Sequence, residues 1–167
     1  MILPVASPLG PLALAADRDG ALVYLGFHHH EPRERLLAAL DPATLSADPG
    51  LLAPVTAQLE AYFRGDLRDC HGPLGPRGTP FQLRVWAELQ RIPYGATLSY
   101  GELARRLGDP KLTRAVGAAN GANPISILIP CHRVIGADGS LTGYAGGLDI
   151  KQALLAREQP GWLLGWP

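Results

Sequence analysis

The sequence has no surplus of either charge: 15 Lys and Arg stand against 15 Asp and Glu. A balanced chain does not advertise nucleic acid through bulk basicity. No apolar run approaches the about 18 residues needed to span a bilayer. The N-terminus, Met1-Ile2-Leu3-Pro4-Val5-Ala6, is apolar but lacks a basic flank and is broken by Pro4, Pro8 and Pro11. It reads as a strand, not an export signal. Cysteine is scarce, only Cys70 and Cys131. Without export, the expectation is two reduced thiols in the cytoplasm and no disulfide. What remains is a 167-residue chain, 47% apolar and 18% charged, sized for one large domain or two small ones.

The charge is not evenly spread. Nine acidic and six basic residues precede Thr79, which leaves −3 there and +3 beyond it. Any contact with DNA is therefore expected in the second part. Residues 2–6, 12–17 and 21–27 read as strands, with Asp17-Arg18-Asp19-Gly20 as the hairpin turn between the last two. Glu31 to Leu40 and Leu52 to Phe63 carry helical spacing of Leu, Ala and Val. Three Gly and two Pro between Asp69 and Thr79 mark a boundary. The pattern predicts an α+β protein, with an α/β domain over 1–78 and a mainly helical domain over 79–167.

The second part is more sharply punctuated. Thr79-Pro80 is an N-cap followed by proline at the first helical position. Ser99-Tyr100-Gly101-Glu102 is a capping box opening a short helix that Gly108 ends. Asp109-Pro110 opens another, from Lys111 to about Asn120. Two short helices joined through glycine suit a helix-turn-helix and equally an αα-corner. The second helix, Arg114-Ala115-Val116-Gly117-Ala118-Ala119-Asn120, is nearly bare of large side chains. Such a helix approaches another surface closely, whether DNA or a neighbouring helix.

Next comes Leu128-Ile129-Pro130-Cys131-His132-Arg133-Val134, an apolar run ending in a thiol with a base beside it. A short apolar run is a buried strand or turn. The cysteine is then either a nucleophile held at a chosen depth or a small core hydrophobe. Gly136 to Ser140 reads as a turn and Leu141-Thr142-Gly143-Tyr144 as a return strand. A last helix follows from Leu148 to about Glu158, with Ile150, Leu154 and Leu155 inward. Trp162 and Trp166 in the tail are expected to pack on a core.

Seven stretches in this order resemble the O6-alkylguanine-DNA alkyltransferases. They are Ser7-Pro8-Leu9-Gly10-Pro11-Leu12, Ile92-Pro93-Tyr94-Gly95, Ser99-Tyr100, Arg114-Ala115-Val116-Gly117, Asn123-Pro124, Pro130-Cys131-His132-Arg133-Val134 and Gly143-Tyr144-Ala145-Gly146-Gly147-Leu148. The resemblance implies a ribonuclease-H-like first domain and a winged-helix-like second one. It implies single, irreversible transfer of an alkyl group from O6 of guanine, or O4 of thymine, in double-stranded DNA to Cys131. His132 would be the base, acting through a water, and Glu158 would hold its imidazole. Tyr100 would donate a hydrogen bond to the leaving guanine and crowd the target's 3′ phosphate. Asn123 would brace the turn before Cys131.

The lesion would be flipped out of the duplex. Arg114 would fill the gap, and Ala115, Gly117, Ala118 and Asn120 would lie in the minor groove. Backbone groups of Cys131, Val134 and Ala145, beside Tyr144, would line the alkylguanine pocket. Ala145 replaces a serine found in some members, which bears on the size of alkyl group accepted. Some members bind zinc in the first domain through Cys and His. Here the only cysteine of that domain is Cys70, late in the linker, and His28-His29-His30 reads as a solvent-facing loop. No metal and no cofactor are expected, and the protein is expected to be a monomer. The rival within the same resemblance is a non-catalytic sensor of alkylated DNA. A regulatory helix-turn-helix protein and a cysteine hydrolase stand further off.

Overall fold

The computed structural model describes residues 1–27 and 40–161. The His28-His29-His30 loop, the helix expected from Glu31 and the tail tryptophans Trp162 and Trp166 lie outside the described residues. The fold is α+β and divides into two compact units, Met1–Arg77 with Pro124–Leu128, and Gly78–Asn123 with the chain from Ile129 onward.

The first unit carries an antiparallel sheet in the order β1 (Leu3–Val5), β2 (Leu12–Ala16), β3 (Leu22–Phe27). Leu14 stands opposite both Leu3 and Leu25. The Asp17 to Gly20 turn forms as expected: Asp17 Oδ1 accepts the N–H groups of Asp19 and Ala21 at 3.1 and 2.9 Å, and Gly20 sits at φ +84°. Every residue of β2 and β3 is buried, so both strands read as unbroken apolar runs without alternation. Helix α1 (Ala53–Arg64) turns Val55, Leu59, Tyr62 and Phe63 inward, the spacing of one helical face, and ends at Gly65 in the left-handed region.

The sequence predicts two contiguous domains, and here the structure differs. Leu25 N–H donates to the Pro124 carbonyl at 2.9 Å and Ser126 N–H to the Leu25 carbonyl at 2.8 Å. A strand edge carries unpaired backbone groups, and an extended segment from far along the chain satisfies them. Sequence spacing carries no sign of such a pairing.

In the second unit the Ser99 capping box forms, and the Thr79 N-cap proves to be a capping box as well. Thr79 and Gln82 exchange hydrogen bonds at the start of α2 (Pro80–Leu89), and Ser99 and Glu102 do so at α3 (Tyr100–Arg106). Gly108, at φ +103°, follows α3. Asp109 then caps a 3-10 turn over Pro110–Leu112, and α4 begins only at Thr113, running to Gly121. Trp86 ties α2 to α4 by donating its indole N–H to the Ala119 carbonyl at 2.8 Å. Strands β4 (Leu98–Ser99) and β5 (Val134–Ile135) pair in parallel, Leu98 opposite Val134. That pairing sets the start of α3 beside the segment leaving Cys131. Helix α5 (Leu148–Glu158) follows.

The return strand expected over Leu141 to Tyr144 is absent. Gly143 has φ +50°, and the Thr142 carbonyl accepts side-chain donors, not a strand partner. The turn before it does close, Gly136 N–H to the Ser140 carbonyl at 2.8 Å. No helix among the described residues is long and apolar enough to cross a membrane.

Candidate active site

Cys131 opens a 3-10 turn, Cys131–Arg133, that leads directly into β5. Proline before it holds φ −80° and ψ 65°, and the Cys131 N–H folds back to the Ile129 carbonyl at 2.8 Å. The thiol residue is 4% exposed and His132 is fully buried. A 3-10 turn does not impose the strict alternation by which adjacent residues of an extended strand face opposite ways.

His132 Nε2 lies 2.8 Å from Glu158 Oε1, across from the last residue of α5. His132 Nδ1 is buried without a hydrogen-bond partner, which leaves it as the ring atom open to a proton. Glu158 has a second partner, and this one is a full cation. Arg133 donates Nε to Oε2 at 2.7 Å, one terminal nitrogen to Oε1 at 3.0 Å and the other to the Ile92 carbonyl at 2.6 Å. A carboxylate at a helix C-terminus meets the negative end of the helix dipole, and this fork offsets it. Burial opposes ionisation of Glu158, yet the hydrogen bonds from His132 and Arg133 and the guanidinium charge of Arg133 outweigh it and hold the carboxyl at about 2.

Burial pushes the His132 imidazole below its ordinary value, and Glu158 only partly restores it. Burial likewise raises the Cys131 thiol, against the pull of an Asn123 hydrogen bond, the Lys151 charge and nearby backbone N–H groups. The resting pair is therefore a thiol beside a neutral imidazole. Asn123 also donates Nδ2 to the Ile129 carbonyl at 2.8 Å. Tyr100, the first residue of α3, donates its hydroxyl to the Thr142 carbonyl at 3.0 Å, and burial raises its phenol.

Helix α4 has two faces. Arg114, Ala115 and Ala118 are exposed and Gly117 is half-buried, whereas Val116, Ala119 and Asn120 are buried. Asn120 is a correction to the sequence reading, which set it with the DNA-facing residues. It is 2% exposed, and its Nδ2 points to the Cys131 carbonyl at 3.4 Å. It stands four after the buried Val116 and next to the buried Ala119, on the inward face of α4. Val134 is buried, Tyr144 half-buried and Ala145 exposed. The Val134 carbonyl accepts from Lys151 Nζ at 2.6 Å, leaving one lone pair for another donor.

Two buried residues escaped the sequence reading. Arg133 was visible only as part of a motif. Lys151 sits on the inward stripe of α5, four before Leu155 and seven before Glu158, and a charge at a core-spaced position was the available signal.

Residues 5–76 match the ribonuclease-like domain of 6-O-methylguanine DNA methyltransferase, and residues 80–160 match its DNA-binding domain. Methylated-DNA--protein-cysteine methyltransferase of Methanosarcina acetivorans is 48% identical over 91% of this chain and 94% of its own length. Its counterpart in Mycolicibacterium paratuberculosis is 50% identical over 93% and 90%. The crystal structure of Mycobacterium tuberculosis O6-methylguanine methyltransferase superposes with a TM-score of 0.82 at 46% identity, covering 95% of this chain and 92% of that one. A Mycobacterium tuberculosis OGT crystallised in complex with DNA gives 0.81 at 46% identity, covering 94% and 91%. With both domains matched in order over most of the chain, the chain belongs to the 6-O-methylguanine DNA methyltransferase family.

Proposed function

We propose that the protein repairs double-stranded DNA by moving the alkyl group of O6-alkylguanine, and of O4-alkylthymine, onto Cys131, once per molecule. The observation that carries this reading is the buried 2.8 Å contact of His132 with Glu158, beside a thiol on the same turn. A thiol must lose its proton to attack carbon. His132 Nδ1 takes it, directly or through a water, while Glu158 fixes the other ring nitrogen as the N–H tautomer and supports the charge that forms. The sulfur then bonds to the alkyl carbon as the carbon–O6 bond breaks, and the bonding pair leaves with guanine. Tyr100 donates a hydrogen bond to the departing base, and the proton taken from sulfur ends on guanine. The products are a thioether and an intact base. No group in the site can cleave a thioether, so the cycle does not close.

The lesion reaches sulfur only outside the base stack. Arg114, exposed at the start of α4, would occupy the space it leaves, with Ala115, Gly117 and Ala118 against the minor groove. That groove presents a degenerate pattern, so binding is expected to be insensitive to sequence. Asn123 holds the turn, and backbone groups at Cys131, Val134 and Ala145, with Tyr144 beside them, hold the flipped base. Asn120 belongs to the thiol side of this pocket. The protein would act as a cytoplasmic monomer with no cofactor.

The test is direct. The protein is mixed with a duplex carrying O6-methylguanine and the tryptic peptide containing Cys131 is weighed. A net gain of CH2 supports transfer. Lesion-selective binding with an unchanged peptide would make it a sensor and overturn the reading.

A further inference from the structure

Ile92-Pro93-Tyr94-Gly95 is one of the stretches that carry the family resemblance, yet the transfer step described above gives Tyr94 and Gly95 no part. The fold sets both against the end of α5. Ala96 N–H closes a turn on the Pro93 carbonyl at 3.1 Å, with Gly95 at φ +75°, a left-handed value that suits glycine. From this turn the half-buried Tyr94 donates its hydroxyl to the Arg157 carbonyl at 3.2 Å. Gly95 donates its N–H to Glu158 Oε2 at 3.4 Å, and Gln159 Nε2 returns a bond to the Gly95 carbonyl. A methyl group at position 95 would stand 3.2 Å from the Glu158 carbonyl oxygen, so the close approach also favours glycine. The centre of the Tyr94 ring lies 5.8 Å from the guanidinium carbon of Arg133, the cation that forks onto the same carboxylate.

We propose that Tyr94 is a positioning residue for alkyl transfer: with the Gly95 N–H it pins the last turn of α5 and so holds the Glu158 carboxylate at its bonding distance from His132. This rests on the reading of His132 as the base. Glu158 is the last residue of α5, and helix ends fray. The last carbonyls of a helix have no partner within it, and Tyr94 supplies one to Arg157. A carboxylate on a fraying turn would meet His132 Nε2 at 2.8 Å only part of the time.

Arg133 does not remove the need for this clamp. His132 and Arg133 both belong to the Cys131–Arg133 turn, so they orient the two carboxylate oxygens from one segment. Tyr94 and Gly95 hold the backbone that carries the carboxylate, and they do so from another. Reacting groups keep their geometry through a supporting layer of hydrogen bonds of this kind. Small misplacements far from the chemistry are costly in rate.

The experiment uses Tyr94→Phe, which removes one oxygen and keeps the ring over Arg133. Single-turnover transfer is measured against concentration for a duplex carrying O6-methylguanine and for free O6-benzylguanine. The maximum rate should fall about tenfold on both, with the half-saturating concentrations unchanged. A folded variant with the parental maximum rate overturns the proposal. The same change is then made in Glu158→Gln. If Tyr94 acts through the carboxylate, it should cost no further rate there, whereas an equal loss in both backgrounds marks general packing and overturns the proposal. Gly95→Ala, which presses a methyl group on the end of α5, should also slow transfer. A folded Gly95→Ala at the parental rate overturns the proposal even if Tyr94→Phe does not fold. The last readout needs no DNA: the Nε2 proton of His132 is followed by NMR, and its exchange with water should be about tenfold faster in Tyr94→Phe. Unchanged exchange overturns the proposal. A parent protein that leaves O6-methylguanine untouched would fail the proposed function, while the proton exchange still decides the role of Tyr94.

Discussion

The two units bury different things. In the first, the buried residues are apolar: the full lengths of β2 and β3 and the inner face of α1. In the second, Asn120, His132, Arg133, Lys151 and Glu158 are all buried, and among the described residues these five are the buried polar and charged set. An apolar core tolerates any repacking that keeps its volume. A buried polar cluster tolerates little, because each member removed strands a partner. The comparison teaches where function lies without reference to motif. The first unit is built to be stable, and the second accepts a cost in stability around one sulfur.

The largest expected break is Cys131→Ala. Transfer from O6-methylguanine duplex should vanish while lesion binding, followed by fluorescence anisotropy, persists. Loss of both would mean that the thiol also supports the fold. Glu158→Ala comes next, since it strands Arg133 and His132 together. Breaking a buried pair costs about 3–5 kcal/mol, read from a denaturant midpoint, and loss of the oriented base should slow transfer about 100-fold or more. A variant as stable as the parent would mean the network is dispensable.

Acid sharpens the same contrast. Glu158 titrates at about 2 in the folded protein against an ordinary 4.5. The unfolded chain takes up the proton first as pH falls, so its contribution is complete above about 4.5 and is lost on the way down to 2. Chemical denaturation of the parent at pH 6, 4 and 3 should show falling stability, and Glu158→Gln should flatten that slope. Equal slopes would place the acid sensitivity elsewhere. Arg114→Ala has a smaller effect. It should weaken reaction with the flipped lesion in duplex about tenfold, while reaction with free O6-benzylguanine changes little. Equal losses in both would remove Arg114 from the flipping role.

The sequence made legible whatever is encoded locally. The Ser99–Glu102 capping box and the Thr79 N-cap with Pro80 were both plain in the sequence and both formed, Gln82 adding a return bond to Thr79. The Asp17 to Gly20 turn was equally plain. What failed depended on partners distant in sequence. Leu141 to Tyr144 looks like a strand, but Tyr100 and Lys151 claim the Thr142 carbonyl from 42 and 9 residues away. Segment Pro124–Leu128 joins the first unit through Leu25, a pairing that no local pattern shows. In the site, Cys131, His132 and Glu158 were readable through the family resemblance, while Asn120 was placed on the wrong face of α4. A helix of small residues has little amphipathic contrast, so its faces are decided by what it packs on.

Leu14→Ala completes the comparison from the other side. Leu14 is fully buried at the centre of the first sheet, opposite Leu3 and Leu25. Removing it leaves a cavity and should cost about 3–5 kcal/mol of stability, a loss as large as that expected for Glu158→Ala. Its effect on chemistry should nonetheless be the smallest of the set. The folded fraction should transfer alkyl groups at the parental rate with the parental pH profile, because no ionisable group has changed its surroundings. Single-turnover rates corrected for the folded fraction check this across pH 6 to 9. If Leu14→Ala instead shifts the pH profile of Cys131, the two units do not divide stability from reactivity, and the apolar sheet takes part in setting the thiol.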